Sequence, residues 1–148
     1  MIAYVDSSVL ARAYLRDEDG SEEARRLLAD PRIAKVTGRW TRIEVSAAIV
    51  RAVRGRRPVD RDRALADLDA DLRHATGRVE VIAAPDAEVE ARALVIARAH
   101  GLRALDALHV ALAAIAIPKL ADKGEPLAFA SRDGDQAIVA ESLGFAAV

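Results

Sequence analysis

The sequence predicts an α/β protein with a central, mainly parallel sheet flanked by helices. Three observations predict it. Short apolar runs alternate with segments of helical length and spacing along the whole chain. No internal repeat, low-complexity tract or long linker interrupts the 148 residues, a length that supports one domain with a sizeable core, so residues 1–148 are expected to form a single domain. Hydrophobic residues make up 52% and aromatics only 3%, a globular composition built on Ala, Val, Leu and Ile.

Each element has a local reason. Ile2-Ala3-Tyr4-Val5 is an apolar strand that ends abruptly on Asp6-Ser7-Ser8. Val9 to Leu15 reads as a short helix, closed by the charged loop Arg16-Asp17-Glu18-Asp19-Gly20. Ser21 looks like an N-cap, with Glu22 and Glu23 suited to the helix dipole, and that helix stops near Ala29 before Asp30-Pro31. Ile33 to Val36 is a short strand, and Thr41-Arg42-Ile43-Glu44 fits a capping box opening a helix to about Arg54. Beyond Gly55 to Pro58, the segment Val59 to His74 places Leu65, Leu68 and Leu72 at helical spacing with acids on the other face. Gly77 turns into the strand Val79 to Ile82. Pro85-Asp86 opens a helix with Val89, Ala93, Ile96 and Ala97 on one face, closed by Gly101. Asp106 begins an almost wholly apolar helix expected to end at Pro118, and Lys119 to Pro126 is a loop. Leu127 to Ala130 is a strand, Ser131 to Gly134 a turn, Gln136 to Leu143 a helix, and Phe145 to Val148 a last short strand.

Composition excludes several chemistries. Without cysteine there is no disulfide, thiol catalysis or Cys-based zinc site. His74, His100 and His109 do not form a zinc-ligand pattern, so any metal is expected to be a hard one held by oxygen. The net charge of −1 gives no overall sign of nucleic-acid binding, although Arg51, Arg54, Arg56, Arg57, Arg61 and Arg63 crowd one stretch that reads first as a solvated face. The N-terminal apolar run is too short for a signal peptide and lacks a basic n-region, and the longest apolar run, Val110 to Ile117, cannot span a bilayer. The expectation is a cytoplasmic protein with no membrane partner.

Four carboxylates stand out. A carboxylate directly after a buried strand, as at Asp6, is costly unless something pairs with it. Asp133 repeats the arrangement after the strand Leu127 to Ala130. Asp106 opens the apolar helix, where it is both an N-cap candidate and an interior carboxylate. Glu44 is explained by the capping box alone, yet shares a face with Trp40, Ala47 and Ala48. Turn and cap roles account for each acid separately. They do not account for the joint pattern: two acids at strand ends and two near helix starts lie on one edge of a parallel sheet. Like charges that close are partly neutralised unless a divalent cation joins them, and oxygen-only ligation suits Mg2+, with Mn2+ also possible.

These residues resemble the PIN-domain ribonucleases, most closely the VapC-type toxins of bacterial toxin–antitoxin pairs. The matching pieces are Tyr4-Val5-Asp6-Ser7-Ser8, Thr41-x-x-Glu44, Leu105-Asp106-Ala107-Leu108-His109-Val110-Ala111, and Phe129-Ala130-Ser131-Arg132-Asp133 followed by Ala140 to Gly144. They run through nearly the whole chain in the family's order. Two features depart from the pattern: Ser131 stands where Thr is usual, and Ile117 to Pro126 is longer than expected. The resemblance implies a PIN-like three-layer fold and Mg2+-dependent endoribonuclease activity. It implies Asp6 and Asp106 as principal metal ligands, Glu44 and Asp133 completing the catalytic cluster, and Ser131 assisting behind them. It also implies an RNA substrate, a cognate VapB-like antitoxin and a homodimer. His109, one turn beyond Asp106, is read as packing or hydrogen bonding.

Rival readings make distinct demands. An aspartate-nucleophile phosphatase generally has a second Asp two residues after the first, where this chain has Ser8. A phospho-acceptor signalling domain needs an Asp after an internal strand, but Val79 to Ile82 is followed by Ala83-Ala84-Pro85. A catalytically inactive PIN-like binding module is compatible with all four acids, and metal binding separates it from the nuclease.

Overall fold

The first strand lies at the middle of the sheet. A computed structural model describes all 148 residues. Its elements are β1 (Ile2–Val5), α1 (Ser7–Tyr14), α2 (Ser21–Ala29), β2 (Ala34–Gly38), α3 (Trp40–Arg54), α4 (Arg61–Asp71), β3 (Glu80–Ile82), α5 (Asp86–His100), α6 (Ala104–Leu120), β4 (Leu127–Ala130), α7 (Gly134–Ser142) and β5 (Ala146–Ala147). The sheet is five-stranded and wholly parallel, in the order β3-β2-β1-β4-β5. Ile2 sits beside Ala34 on one side and Leu127 on the other.

Strand alternation divides the core between the two faces of the sheet. Ile2, Tyr4 and Phe129 pack with α5, α6 and α7. Val5 and Ala130 pack with α1, α2, α3 and α4. The result is the expected three-layer α/β architecture. The chain winds from β1 outward to β3, then returns to place β4 on the other side of β1. The winding direction therefore reverses between β1 and β4, where an open α/β sheet offers a crevice beyond its strand ends. Asp6 and the Ser131–Asp133 turn flank that point. No helix is long and apolar enough to cross a membrane.

The ends of several elements differ from their sequence signals. Helix α6 passes through Pro118 to Leu120: the proline forfeits one backbone donor, but its fixed φ is helical and Ala121 N–H still closes onto the Ile117 carbonyl. Ser21 does not cap α2; Gly20 holds that position in a left-handed conformation, and Ser21 is buried inside the first turn. Strand β2 runs to Gly38, beyond Val36. Helix α4 starts at Arg61, capped by the Asp60 side chain on Arg63 N–H, and ends at Asp71.

Candidate functional site

Asp6 is the residue on which β1 becomes α1. Its backbone is extended, its N–H donates to the Ala130 carbonyl at 2.9 Å, and its side chain caps α1 by accepting from Ser8 N–H at 2.9 Å. The cap role that accounts for Asp6 taken separately is thus formed. The residue is only 3% exposed. No lysine or arginine pairs with it. Its other close polar neighbours are the Gln136 amide, with Nε2 donating to Oδ1 at 3.4 Å, and the His109 ring, with Nε2 at 3.9 Å.

Asp106 lies in the first turn of α6, and the N-cap position belongs to Arg103, which makes no side-chain cap. The N-cap reading of Asp106 is therefore replaced: its half-buried carboxylate is not spent on its own helix. Burial pushes the Asp106 carboxyl above the usual carboxylate range, and the charges of Asp6 and Asp133 push it the same way, against Arg103 and His109. Asp133 caps α7 by accepting from Gln136 N–H at 3.0 Å. Asp135 is exposed.

The capping box predicted for Thr41 and Glu44 is absent. Helix α3 begins at Trp40 without a side-chain cap. The Thr41 hydroxyl is buried 2.7 Å from that of Thr37, which in turn donates to the Val5 carbonyl at 2.7 Å. Glu44, free of a capping duty, reaches across to α6, and its Oε2 lies 2.6 Å from His109 Nε2. His109 is fully buried, with Nδ1 2.7 Å from the Tyr4 hydroxyl. Burial opposes charge on this imidazole, but the Glu44 hydrogen bond and the fields of Asp6, Glu44 and Asp106 outweigh it, and its pKa stands above the ordinary histidine value. The hydrogen-bonding role expected for His109 takes this form.

Gln136 is the site residue that sequence reasoning missed. It is fully buried, donates from Nε2 to Asp6 Oδ1 and to the Asp106 carbonyl at 3.2 Å, and accepts from the Ser131 hydroxyl at 2.6 Å. It thereby ties β1, α6 and the β4–α7 turn together. A signal existed: Gln136 shares a helix face with Val139 and Ala140, which points a polar amide inward. Ser131 also accepts from Asp133 N–H, and Ser8 Oγ accepts from Arg132 N–H.

The donor set is all oxygen, which suits a hard cation. No three acidic or histidine side chains are gathered closely enough to enclose an ion by themselves. A hard cation here would have to take water for part of its coordination shell. The mutual repulsion evident at Asp106 is what such a cation would relieve. Beside Glu44 lies a cleft of about 420 Å³, lined by Ser7, Ser8, Ile43, Ala47, Arg51 and Leu105. Arg51 is the one member of the arginine stretch in this cleft; Arg57 is bound to Asp17 and Glu18 instead.

The model of the family described as PIN domain matches residues 3–141. No curated protein matches the chain. PIN domains are generally nucleases acting on nucleic acid, and they typically use divalent metal ions.

Proposed function

The chain belongs to the PIN domain family, and from that premise we propose that it is a Mg2+-dependent endoribonuclease of the VapC toxin type. The carrying observation is the buried Asp6 carboxylate at the β1–β4 switch point: no lysine or arginine pairs with it, and its charge, with that of Asp133, pushes the Asp106 carboxyl up. In this reading residues 1–148 act as one catalytic domain in the cytoplasm. Asp6 and Asp106 would hold the cation, and Asp133 and Glu44 would complete the cluster, directly or through metal-bound waters. The bound ion supplies a lowered water pKa and neutralises charge growing on the phosphoryl oxygens. The chain's own residues do the rest. Gln136 spaces Asp6 from Asp106. Ser131 holds Gln136, and Asp133 anchors α7. Glu44 would help orient the attacking water, and Arg51, which lines the same cleft, would meet an RNA phosphate.

A VapB-like antitoxin would inhibit by laying a tail into the acidic cleft. Ile43, 70% exposed, and Leu105, 41% exposed, line the cleft with Glu44, which would offer that tail apolar contact. The enzyme is read as a homodimer. A second reading, binding without catalysis, draws on the lack of three preassembled ligand side chains.

Incubation with total bacterial RNA and Mg2+, beside Asp106→Asn and an EDTA control, tests the proposal. Cleavage by wild type alone is expected, with the variant down on the order of a hundredfold or more. Equal cleavage by Asp106→Asn overturns the site, and no cleavage by antitoxin-free protein favours the binding module.

A further inference from the structure

We propose that Tyr4 is a positioning residue of the acidic site, acting through His109 to hold the Glu44 carboxylate in place. The activity arm of this inference rests on the nuclease reading above; its structural arm does not.

Tyr4 precedes Asp6 by two residues on β1, so both project on the same side of the sheet, towards α6. It is fully buried, and a buried phenol needs a partner for its hydroxyl. That partner is His109 Nδ1 at 2.7 Å. Packing alone would be served by phenylalanine: Phe129 stacks on the Tyr4 ring with centroids 5.2 Å apart and planes nearly parallel, and Trp40 meets His109 edge-on at 6.0 Å. The hydroxyl therefore has a separate reason to be present.

The direction of the hydrogen bonds supplies it. Tyr4 Oη lies 2.7 Å from His109 Nδ1, and both side chains are shut off from solvent, so this nitrogen is the partner left to the phenol O–H. The one phenol proton is then directed to Nδ1, which must accept. The neutral ring consequently carries its own proton on Nε2, facing Glu44 at 2.6 Å. With the proton on Nδ1 instead, a lone pair would face the carboxylate and push it away. Gly38 is built for this contact. A Cβ there would fall 2.7 Å from Tyr4 Oη and 3.0 Å from Leu112 Cδ2, so only glycine lets the phenol reach this depth.

The test uses Tyr4→Phe and, as a second variant that alters no side chain of the site, Gly38→Ala. Nitrogen NMR of histidine-labelled protein, at a pH where the ring is neutral and with His109→Gln identifying the resonances, reports which ring nitrogen is protonated. Wild type is expected to show the proton on Nε2, and both variants to lose that pattern while keeping a cooperative melt. In Mg2+-dependent RNA cleavage, Tyr4→Phe is expected to lower kcat about tenfold with KM unchanged. The same change in a Glu44→Gln background is expected to cost nothing further, because the pathway from Tyr4 ends at Glu44. Ring-nitrogen shifts that do not move in either variant overturn the proposal, as does an equal loss in the Glu44→Gln background. If wild type cleaves no RNA, the nuclease reading fails, and the nitrogen shifts still decide the Tyr4–His109–Glu44 chain.

Discussion

Two carboxylates of this protein are almost equally buried, and they are treated in opposite ways. Asp71, at the end of α4, is 6% exposed and fully satisfied: Arg78 donates Nε and Nη2 to its two oxygens at 2.6 Å each, and Tyr14 donates its hydroxyl at 2.7 Å. Burial and the Asp71 bond push the Tyr14 phenol well above its ordinary value, which keeps the donor protonated. Asp6 is 3% exposed and receives one backbone N–H and a long amide contact, with no lysine or arginine and only the His109 ring at 3.9 Å. A buried charge left this way is unfavourable. The difference identifies the two roles. Asp71 ties α1, α4 and the segment entering β3 together, whereas Asp6, at the sheet edge, has no such clamp, which is what the proposed metal-binding role draws on.

The sharpest way to break this comparison is to neutralise Asp6. Asp6→Asn keeps an oxygen for the Ser8 cap, so metal-free protein is expected to melt at the wild-type temperature or above it, while RNA cleavage falls on the order of a hundredfold. A clear loss of stability with activity retained would make Asp6 a structural acid like Asp71. The reciprocal change, Asp71→Ala, strands Arg78 and Tyr14 and is expected to cost about 2–3 kcal/mol in urea unfolding, with folded protein cleaving normally.

A third measurement uses pH. The folded protein holds the Asp106 carboxyl above its ordinary value, so the folded state binds the proton more tightly than the unfolded chain. The charged carboxylate therefore costs stability at neutral pH. That cost fades as pH falls through the raised value and vanishes below the ordinary carboxylate range. Metal-free Asp106→Asn is expected to unfold at higher urea than wild type near pH 7 and at the same urea at about pH 3. A variant that unfolds at lower urea than wild type near pH 7 would overturn this account of Asp106.

The smallest effect is expected at the surface. Arg57 binds both Asp17 and Glu18 with good geometry, but all three side chains are about one-third exposed. Arg57→Ala is expected to cost less than about 1 kcal/mol, and less again in high salt, with cleavage unchanged.

The legible parts of the molecule are those with local causes. Strand alternation, turn residues and helix spacing locate every element to within a few residues, and the acids after β1 and β4 are readable as strand-end carboxylates. The misreadings have a common origin. Thr41 and Glu44 satisfy a capping pattern, but Thr37 and His109, distant in sequence or on another element, offer partners that win. Gln136 looks like an ordinary helix-start residue until Asp6 and Asp106 arrive beside it. Asp71 reads as one acid among several on an exposed helix face, because nothing in α4 itself announces Arg78 or Tyr14.

By itself the sequence determined the α/β alternation, the oxygen-only donor set and the four acids on one sheet edge, since these follow from residue type, short-range spacing and the polarity of parallel strands. Only the tertiary structure decided which acid is neutralised, which caps a helix and which is held by a buried histidine. Those choices depend on hydrogen-bond partners up to 130 residues apart, brought together only when β1, α6 and α7 pack.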